Sequence, residues 1–390
     1  MAGWTVQDFE RCIEPVKYGT KIKRADFLES GEYPIISQEA EFINGYWHDE
    51  ADLYAPDRPV IIFGDHTKAL KYVDFPFVLG ADGVKILKPK AFLNPKFFYY
   101  WLQSIRFESL GYARHYRLLL EQIVAYPPLP EQKRIVAILD EAFAGIAAAT
   151  ANAEKNLGNA RELFENYVES VFLQQSENWI EKSLGSIGGD VFTGPFGSLL
   201  HKADYVTGGT PLVNPAHIID GKIIPDTEKT IDPAALERLQ NYCLKAGDVV
   251  IGRRGEIGRC AVVTAREDGW LCGTGCFYIR VFEKTNPHFL AALLRSKHYR
   301  QKLEALSTGA TMLNLSNTTL SEFKIRVPHL VEQNNLMKAM EGLSKQIELL
   351  EIAYQKKLAA LADLKQAILQ KGFSGDLTAL PAAALHEEAA

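Results

Sequence analysis

The sequence predicts an α+β protein built twice: two pseudo-symmetric mixed domains of short strands, glycine turns and a few helices, each followed by one long helix. Three observations carry that prediction. Residues 126–172 and 327–373 align without a gap at a constant offset of 201, with Pro127 on Pro328, Leu129 on Leu330, Glu131-Gln132 on Glu332-Gln333 and Phe172 on Phe373. The segments ahead of them repeat in the same order with a drifting offset, as duplicated domains with unequal loops would. Both repeated segments open with proline and carry apolar residues at spacings of three and four, which is helical periodicity. At 1.5 Å per residue each helix is roughly 60 Å long.

The elements repeat one by one. Trp4, Phe9 and Ile13 open the first half as Trp179, Leu184 and Ile187 open the second. Tyr33–Ser37 and Thr210–Asn214 read as short strands after turns, and Pro59–Gly64 and Gly247–Gly252 as buried strands stopped by glycine. Asn94-Pro95 and Asn286-Pro287 each start a helix at the proline. Val124–Pro130 and Ile325–Leu330 are stiff, extended hinges. The expected boundaries are a domain over 1–125, a long helix over 126–173, a domain over 174–326, a long helix over 327–373 and a disordered tail over 374–390. In the first helix a heptad seam runs through Ile135, Leu139, Ala142, Ile146, Ala149, Ala153, Asn156, Ala160, Phe164, Tyr167 and Val171. The second has Leu336, Met340, Leu343, Ile347, Leu350 and Tyr354, then slips phase toward Leu358, Leu361, Leu364 and Ile368. Narrow, matched seams predict that the helices pair, with Ile135, Leu139, Ile146, Phe164, Leu343, Ile347, Leu350 and Leu361 at the contact. Each helix packing only on its own domain is the alternative. Parallel and antiparallel pairing are both open on the residues alone.

Composition narrows the function classes. A hydrophobic share of 47% with 23% charged residues is that of a folded globular chain. The net charge of −5 argues against indiscriminate polyanion binding, so any nucleic-acid contact must come from local patches. The first domain carries 15 basic and 17 acidic side chains, the second 18 and 16. Five cysteines, an odd number, fit reduced thiols better than a disulfide framework. No apolar run is expected to span a bilayer, and the opening MAGWTVQDFERC lacks a signal pattern. A cytoplasmic location without a membrane partner is expected.

Catalytic motifs are sparse. No G-x-x-x-x-G-K-[ST] phosphate loop occurs. Phe192-Thr-Gly194-Pro-Phe196 and Tyr126-Pro127-Pro128-Leu129 fall short of the glycine loop and the N/D-P-P-Y/F motif of an amine methyltransferase. Glu322-Phe-Lys324 has no upstream proline–aspartate partner for a nuclease. Cys272-x3-Cys276 with Cys260 and Cys243 is too loosely spaced for structural zinc, and buried thiols are the better reading. Asp65 and His66 lack further ligands, so no metal site is expected. What remains is a recognition surface. Arg253, Arg254 and Arg259 project from a glycine-bounded turn at a strand end, and arginine forks match guanine O6/N7 or phosphate. Its counterpart is Gly64-Asp65-His66-Thr67-Lys68 with Lys71. Arg114 and Arg117 form a basic-aromatic cluster with His115 and Tyr116. Ser37, Gln38, Asn214 and His217 follow the short strands and suit base-edge hydrogen bonds, and Lys202 adds a cation. A solvated surface residue is the bland alternative for each of these. Their recurrence at corresponding places strengthens the group as a whole.

The chain resembles the specificity subunits of type I restriction–modification enzymes. The resemblance rests on the two Pro-x-Leu-x-Glu-Gln motifs at 127–132 and 328–333, each leading a long helix. Gly194–Ser198, Thr210–Asn214, Gly247–Gly258, Pro59–Thr67 and Val73–Phe77 add to it, and it covers nearly the whole chain before the tail. It implies two target-recognition domains separated by an antiparallel coiled coil of two conserved helices. Each domain would read half of an asymmetric, split site on double-stranded DNA across a non-specific gap of about one helical turn. The helices would set the gap and bind two modification (methyltransferase) subunits. S-adenosylmethionine on those subunits, and ATP and Mg on the restriction subunits, would supply the chemistry, including extrusion of the target adenine. This chain would bind no cofactor itself. The competing classes are a self-contained methyltransferase or nuclease, and a coiled-coil adaptor without a DNA role.

Overall fold

The computed structural model describes residues 3–81, 83–106, 114–174, 177–187, 189–196, 199–307 and 314–375. Two compact units emerge, Met1–Lys155 with Tyr354–Ala390, and Asn156–Ala353. Both dividing points lie inside long helices, so each unit owns a stretch of both. Residues 376–390, most of the expected tail, and Gly197-Ser198 of the glycine motif lie outside the described residues.

In unit 1, β1 (Thr5–Asp8) pairs antiparallel with β10 (Ile123–Tyr126), the strand that leads into the first long helix. One four-stranded sheet has the order β2 (Ile13–Glu14), β9 (Val84–Pro89), β6 (Val60–Gly64), β7 (Leu70–Val73). The other has the order β4 (Gly45–Trp47), β3 (Tyr33–Ile36), β8 (Phe77–Leu79), β5 (Leu53–Tyr54), with β3 and β8 parallel. Helices α1 (Phe9–Cys12), α2 (Pro95–Ser104) and α3 (Tyr116–Leu120) complete the globular part, and α4 (Leu129–Leu173) follows.

Unit 2 repeats this plan. Here β11 (Ile180–Ser183) pairs with β22 (Lys324–Val327). The first sheet runs β12 (Gly189–Thr193), β21 (Cys276–Val281), β18 (Val249–Gly252), β19 (Cys260–Val262). The second runs β13 (Tyr205–Val206), β17 (Thr230–Ile231), β14 (Thr210–Val213), β20 (Leu271–Cys272), with β14 and β20 parallel. A hairpin of β15 (Ile218–Ile219) and β16 (Lys222–Ile223) is added. The helices are α5 (Leu184–Ile187), α6 (Pro233–Arg238), α7 (Pro287–Arg295), α8 (Lys297–Ala305), α9 (Asn317–Glu322) and α10 (Leu330–Ser374).

The central strands explain the layering. Side chains alternate faces along a strand, and β6 and β18 are buried at every position. Ile61 and Phe63 join the core beneath α2, whereas Val60 and Ile62 join the core toward the second sheet. Val249 and Ile251 do the same in unit 2, with Val250 on the other face. Helices α2 and α7 start where expected: Asn94 Oδ1 accepts from the Lys96 and Phe97 amides, Asn286 Oδ1 from those of His288 and Phe289.

The long helices run antiparallel in both units. In unit 1, Ile135 and Leu139 of α4 share a core with Leu369 of α10, and Lys365 lies over the Phe143 ring at 5.3 Å. In unit 2, Arg161 Nε meets Glu351 Oε1 at 2.6 Å, while Tyr167, Val168 and Val171 pack with Leu336, Met337 and Met340. Partners on α10 fall in number as those on α4 rise. Alanines Ala153 and Ala160 of the seam are buried, as close helix approach requires. Ile347 is buried, and Ile146, Phe164, Leu343 and Leu361 are half-buried. Leu350 departs from the seam at 45% exposure, because the phase slip behind it rotates that position outward.

One expectation requires correction. Helix α4 contains an 18-residue window of mean hydropathy 1.4, long and apolar enough to cross a membrane by length and composition. Alanine supplies much of that hydropathy while presenting little surface. The same helix packs on protein, since Ile135 and Leu139 are fully buried and Asp140 takes Lys96 Nζ at 2.8 Å.

Leu369→Ala should destabilise unit 1 by about 2–5 kcal/mol, as for a fully buried leucine. Leu350→Ala should stay within about 0.5 kcal/mol. Chemical denaturation of the two variants checks the contrast.

Candidate nucleic-acid interface

Most of the predicted recognition residues lie at one end of each pair of sheets, on segments held by four backbone hydrogen bonds that recur. In unit 1, Gly64 N donates to Ala69 O at 2.9 Å, Asp65 N to Gly83 O at 2.6 Å, His115 N to Asp65 O at 2.8 Å and Gly80 N to Ile36 O at 2.9 Å. In unit 2, Gly252 N donates to Arg259 O at 2.8 Å, Arg253 N to Gly275 O at 2.9 Å, Leu315 N to Arg253 O at 2.9 Å and Gly273 N to Val213 O at 2.9 Å. The turn after the central strand, the loop after the parallel strand and the stretch before the closing strand therefore meet identically. By these bonds Ser37 corresponds to Asn214, Asp65 to Arg253 and His115 to Leu315.

Glycines make room for the strand-end side chains. A Cβ on Gly80 would lie 2.5 Å from Ser37 Cβ, and one on Gly273 would lie 2.2 Å from Asn214 Oδ1. A Cβ on Gly64 would sit 2.2 Å from Thr67 Oγ1, and one on Gly83 2.7 Å from Gln38 Oε1.

In unit 1 the structure brings Gln38, His66 and Thr67 together: Gln38 Oε1 accepts from His66 N at 3.4 Å, and Gln38 O from Thr67 Oγ1 at 2.5 Å. Buried Asp65 docks the basic-aromatic cluster, its Oδ1 accepting from Tyr116 N at 2.7 Å and its carbonyl lying 3.0 Å from His115 Nδ1. Arg114 and Arg117 are exposed beside it, and Lys85 Nζ lies over the Tyr116 ring at 5.1 Å. Lys68 has a φ of +60° and lines a cleft of about 460 Å³ with Leu102, Gln103, Ala362 and Lys365. Ser37 is 2% exposed, its amide donating to Asn44 Oδ1 at 2.8 Å.

Lys71 has a different task from the surface cation expected. It is 4% exposed, and its ammonium donates to the carbonyls of Glu41 and Phe42 and to Asn44 Oδ1, tying down the loop before β4. Burial pushes its pKa down to about 8, against the opposing pull of Glu39 and Glu41.

In unit 2, Arg253 is half-buried, its guanidinium over the Phe277 ring at 5.3 Å and Nε 3.4 Å from Asn314 Oδ1. Burial and then neighbouring Arg254 lower its pKa. Arg254 is exposed and bridges Asn314 through the backbone. His217 Nδ1 lies 3.2 Å from Asn214 N and 2.9 Å from Leu212 O, which locks the bend after β14. Arg259 pairs with Glu256 at 2.5 Å and lines a cleft of about 670 Å³ with Arg295 and Arg300. Lys202 stands apart, exposed on a short turn ahead of the edge strand β13.

Cys260, Cys272 and Cys276 are buried free thiols, with burial pushing Cys260 up to about 12. Among the described residues no cluster of histidine, cysteine or carboxylate could hold a metal ion. Sequence reasoning missed Asp65 as a structural anchor, Asn314 and the paired glycines. The strings Val78-Leu79-Gly80 and Leu271-Cys272-Gly273, each an apolar pair ending in glycine, are the signal that could have revealed those glycines.

The family described as type I restriction modification DNA specificity domain matches twice, over residues 13–156 and 177–359. The chain belongs to that family. The specificity subunit of the Escherichia coli type I restriction enzyme EcoR124I/EcoR124II is 26% identical over 376 residues, covering 88% of this chain and 89% of that relative. The MjaVIII specificity subunit of Methanocaldococcus jannaschii is 22% identical over 380 residues, covering 89% and 87%. Among solved structures, the HsdS subunit from Thermoanaerobacter tengcongensis shares the fold at a TM-score of 0.58 and 18% identity, covering 96% of this chain and 98% of that one. A chain from a study of complex assembly and conformational transition of the type I R-M system matches at 0.67, also with 18% identity and the same coverage. The two family matches fall on the two halves whose turn clusters coincide bond for bond.

Gly80→Ala and Gly273→Ala should each displace the side chain above them and cost about 1–3 kcal/mol of stability. Thermal melting reads the cost. For Lys71, the folded pKa lies below the 10.5 of a free lysine. The folded state therefore loses the proton first, and stability rises with pH between about 8 and 10.5. From about pH 7.5 to 9.5 the wild type should gain about 1–2 kcal/mol relative to Lys71→Met in denaturant titrations.

Proposed function

We propose that this chain is the sequence-reading subunit of a type I restriction–modification assembly, in which each unit reads one half of a split, asymmetric site on double-stranded DNA. The observation that carries the proposal is the recurrence of one scaffold: four matching backbone bonds hold two turn clusters whose outward side chains differ. Duplicated scaffolds with divergent tips are what two different half-sites require. In unit 2, Arg253, Arg254, Asn214 and His217 contact base edges or phosphate, with Arg259 beside them and Lys202 as a more distant cation. In unit 1, Gln38, His66, Thr67, Lys68, Arg114 and Arg117 take that role. Ser37 and Lys71, being buried, support the surface from within. Stacking of Arg253 on Phe277 pre-orients its fork, which reduces the entropy lost on binding.

In this reading the chain is non-catalytic and works in the cytoplasm. Two modification subunits dock on the long helices and bring S-adenosylmethionine, while restriction subunits bring ATP, Mg and nuclease activity. Co-expression with the cognate modification subunit, followed by genome-wide methylation mapping, tests the assignment. A split motif with a fixed spacer is expected, and methylation at a continuous one-part motif would overturn it. Purified chain alone should neither bind S-adenosylmethionine nor cleave DNA; either activity would favour a self-contained enzyme.

Arg253→Ala or Arg254→Ala should relax one position of a single half-site by about 1–3 kcal/mol and leave the other half-site unchanged. Methylation of half-site libraries reads this. Uniform weakening at every sequence would instead mark the residue as a phosphate contact.

A further inference from the structure

Each globular core meets its own long helix through a single covalent path by way of β10 or β22 and a proline, through apolar packing, through side-chain bonds that differ between the units, such as Lys96 to Asp140 and Trp179 to Glu332, and through one buried glutamine that recurs in both. In unit 1, Gln132 is fully buried. Its Nε2 donates to Pro127 O at 2.8 Å and to Phe92 O at 2.9 Å, and its Oε1 accepts from Asn94 N at 2.8 Å. In unit 2, Gln333 is 1% exposed. Its Nε2 donates to Pro328 O at 2.8 Å, and its Oε1 accepts from Asn286 N at 2.8 Å. Asn94 and Asn286 are the caps of α2 and α7, whose buried faces lie against the central strands that end in the recognition turns. The glutamine therefore links the first turn of the long helix, through one amide, to the element that backs the recognition surface.

A single extended connection allows swivelling about its own axis. Apolar packing against the helix is non-directional, whereas a buried amide enforces one geometry because unmade hydrogen bonds there are costly. From this geometry we propose that Gln132 and Gln333 are positioning residues for spacer length. Each fixes the rotation of its recognition core about the helix that follows, and so restricts which gaps between half-sites the protein accepts. This rests on the split-site reading above. Changing the gap by one base pair rotates one half-site by about a tenth of a turn, so a core free to swivel would tolerate it.

The test uses the assembled complex with its modification subunits and a plasmid library carrying both half-sites at the native gap and at gaps one base pair longer or shorter. Wild type should methylate the native gap selectively. Gln132→Ala and Gln333→Ala should each lower that selectivity by about tenfold, the effect of one or two buried hydrogen bonds, with base preferences in both half-sites unchanged. Gln132→Glu and Gln333→Glu place a carboxylate against the carbonyl oxygens that the amide had bonded, so they should lower the selectivity at least as far as alanine. Unchanged gap selectivity in an intact complex overturns the proposal. So does failure of both the alanine and the glutamate variants to assemble, since the clasp would then serve folding alone. If wild type shows no split site, the functional reading fails instead, and the two failures are told apart.

Discussion

The interior of each unit is set by a strand that has no solvent face. Val60–Gly64 and Val249–Gly252 are buried at every residue, so apolar layers must cover both sides: a helix-backed core on one, a second sheet on the other. Such a strand has no side chain to spare for chemistry. Polar and charged side chains are displaced to its end, where Gly64 and Gly252 stop the buried strand. The parallel pairing of β3 with β8, and of β14 with β20, brings two more strand ends to the same place. The turn cluster follows from where a doubly buried strand is allowed to stop.

Much of this was legible because the repeat is written in residue types with strong local meaning. Asn-Pro marks the start of a helix, an apolar run ending in glycine marks a buried strand, and apolar spacings of three and four mark the long helices. Other features depend on contacts far apart in sequence. The antiparallel direction requires knowing that Leu139 meets Leu369 and not Leu336. Lys71 reads as a surface cation until the loop at Glu41–Asn44 closes over it. The Asp65–Arg253 correspondence is invisible to side-chain matching, because a carboxylate and a guanidinium occupy one backbone position. The apolar average of α4 misleads in the other direction, since alanine counts as hydrophobic in composition but buries little area.

That correspondence shows how one scaffold can carry two specificities. The bonds that assemble each cluster run between backbone amides and carbonyls, and these are indifferent to side-chain identity. Asp65 turns inward and secures Tyr116, which brings Arg114 and Arg117 to the surface as the cations of unit 1. Arg253 occupies the same place in unit 2 with its guanidinium on Phe277. Arginine thus enters the two surfaces by different elements, a helix start in one and the turn itself in the other. Divergence at the tips costs the framework little.

Recurrence then sorts scaffold from specialisation. The glutamine clasp, the asparagine caps and the four turn bonds appear in both halves at distances that agree within about 0.3 Å. Two halves whose loops differ freely in length would not keep such agreement unless each interaction were needed in both. Interactions in one half only behave otherwise. Trp179 Nε1 donates to Glu332 Oε1 at 3.0 Å, whereas the matching Glu131 pairs with Arg134 on its own helix. Arg280 pairs with buried Asp248 through two bonds, while Lys88 in the corresponding strand is shared between Glu14 and Asp57. Each half thus neutralises its strand cation with whatever carboxylate its own loops deliver. The geometry that recurs belongs to the backbone of the turn clusters and to the way each core is mounted on its long helix, and it is there, rather than in the side chains at the tips, that the fold is least free to vary.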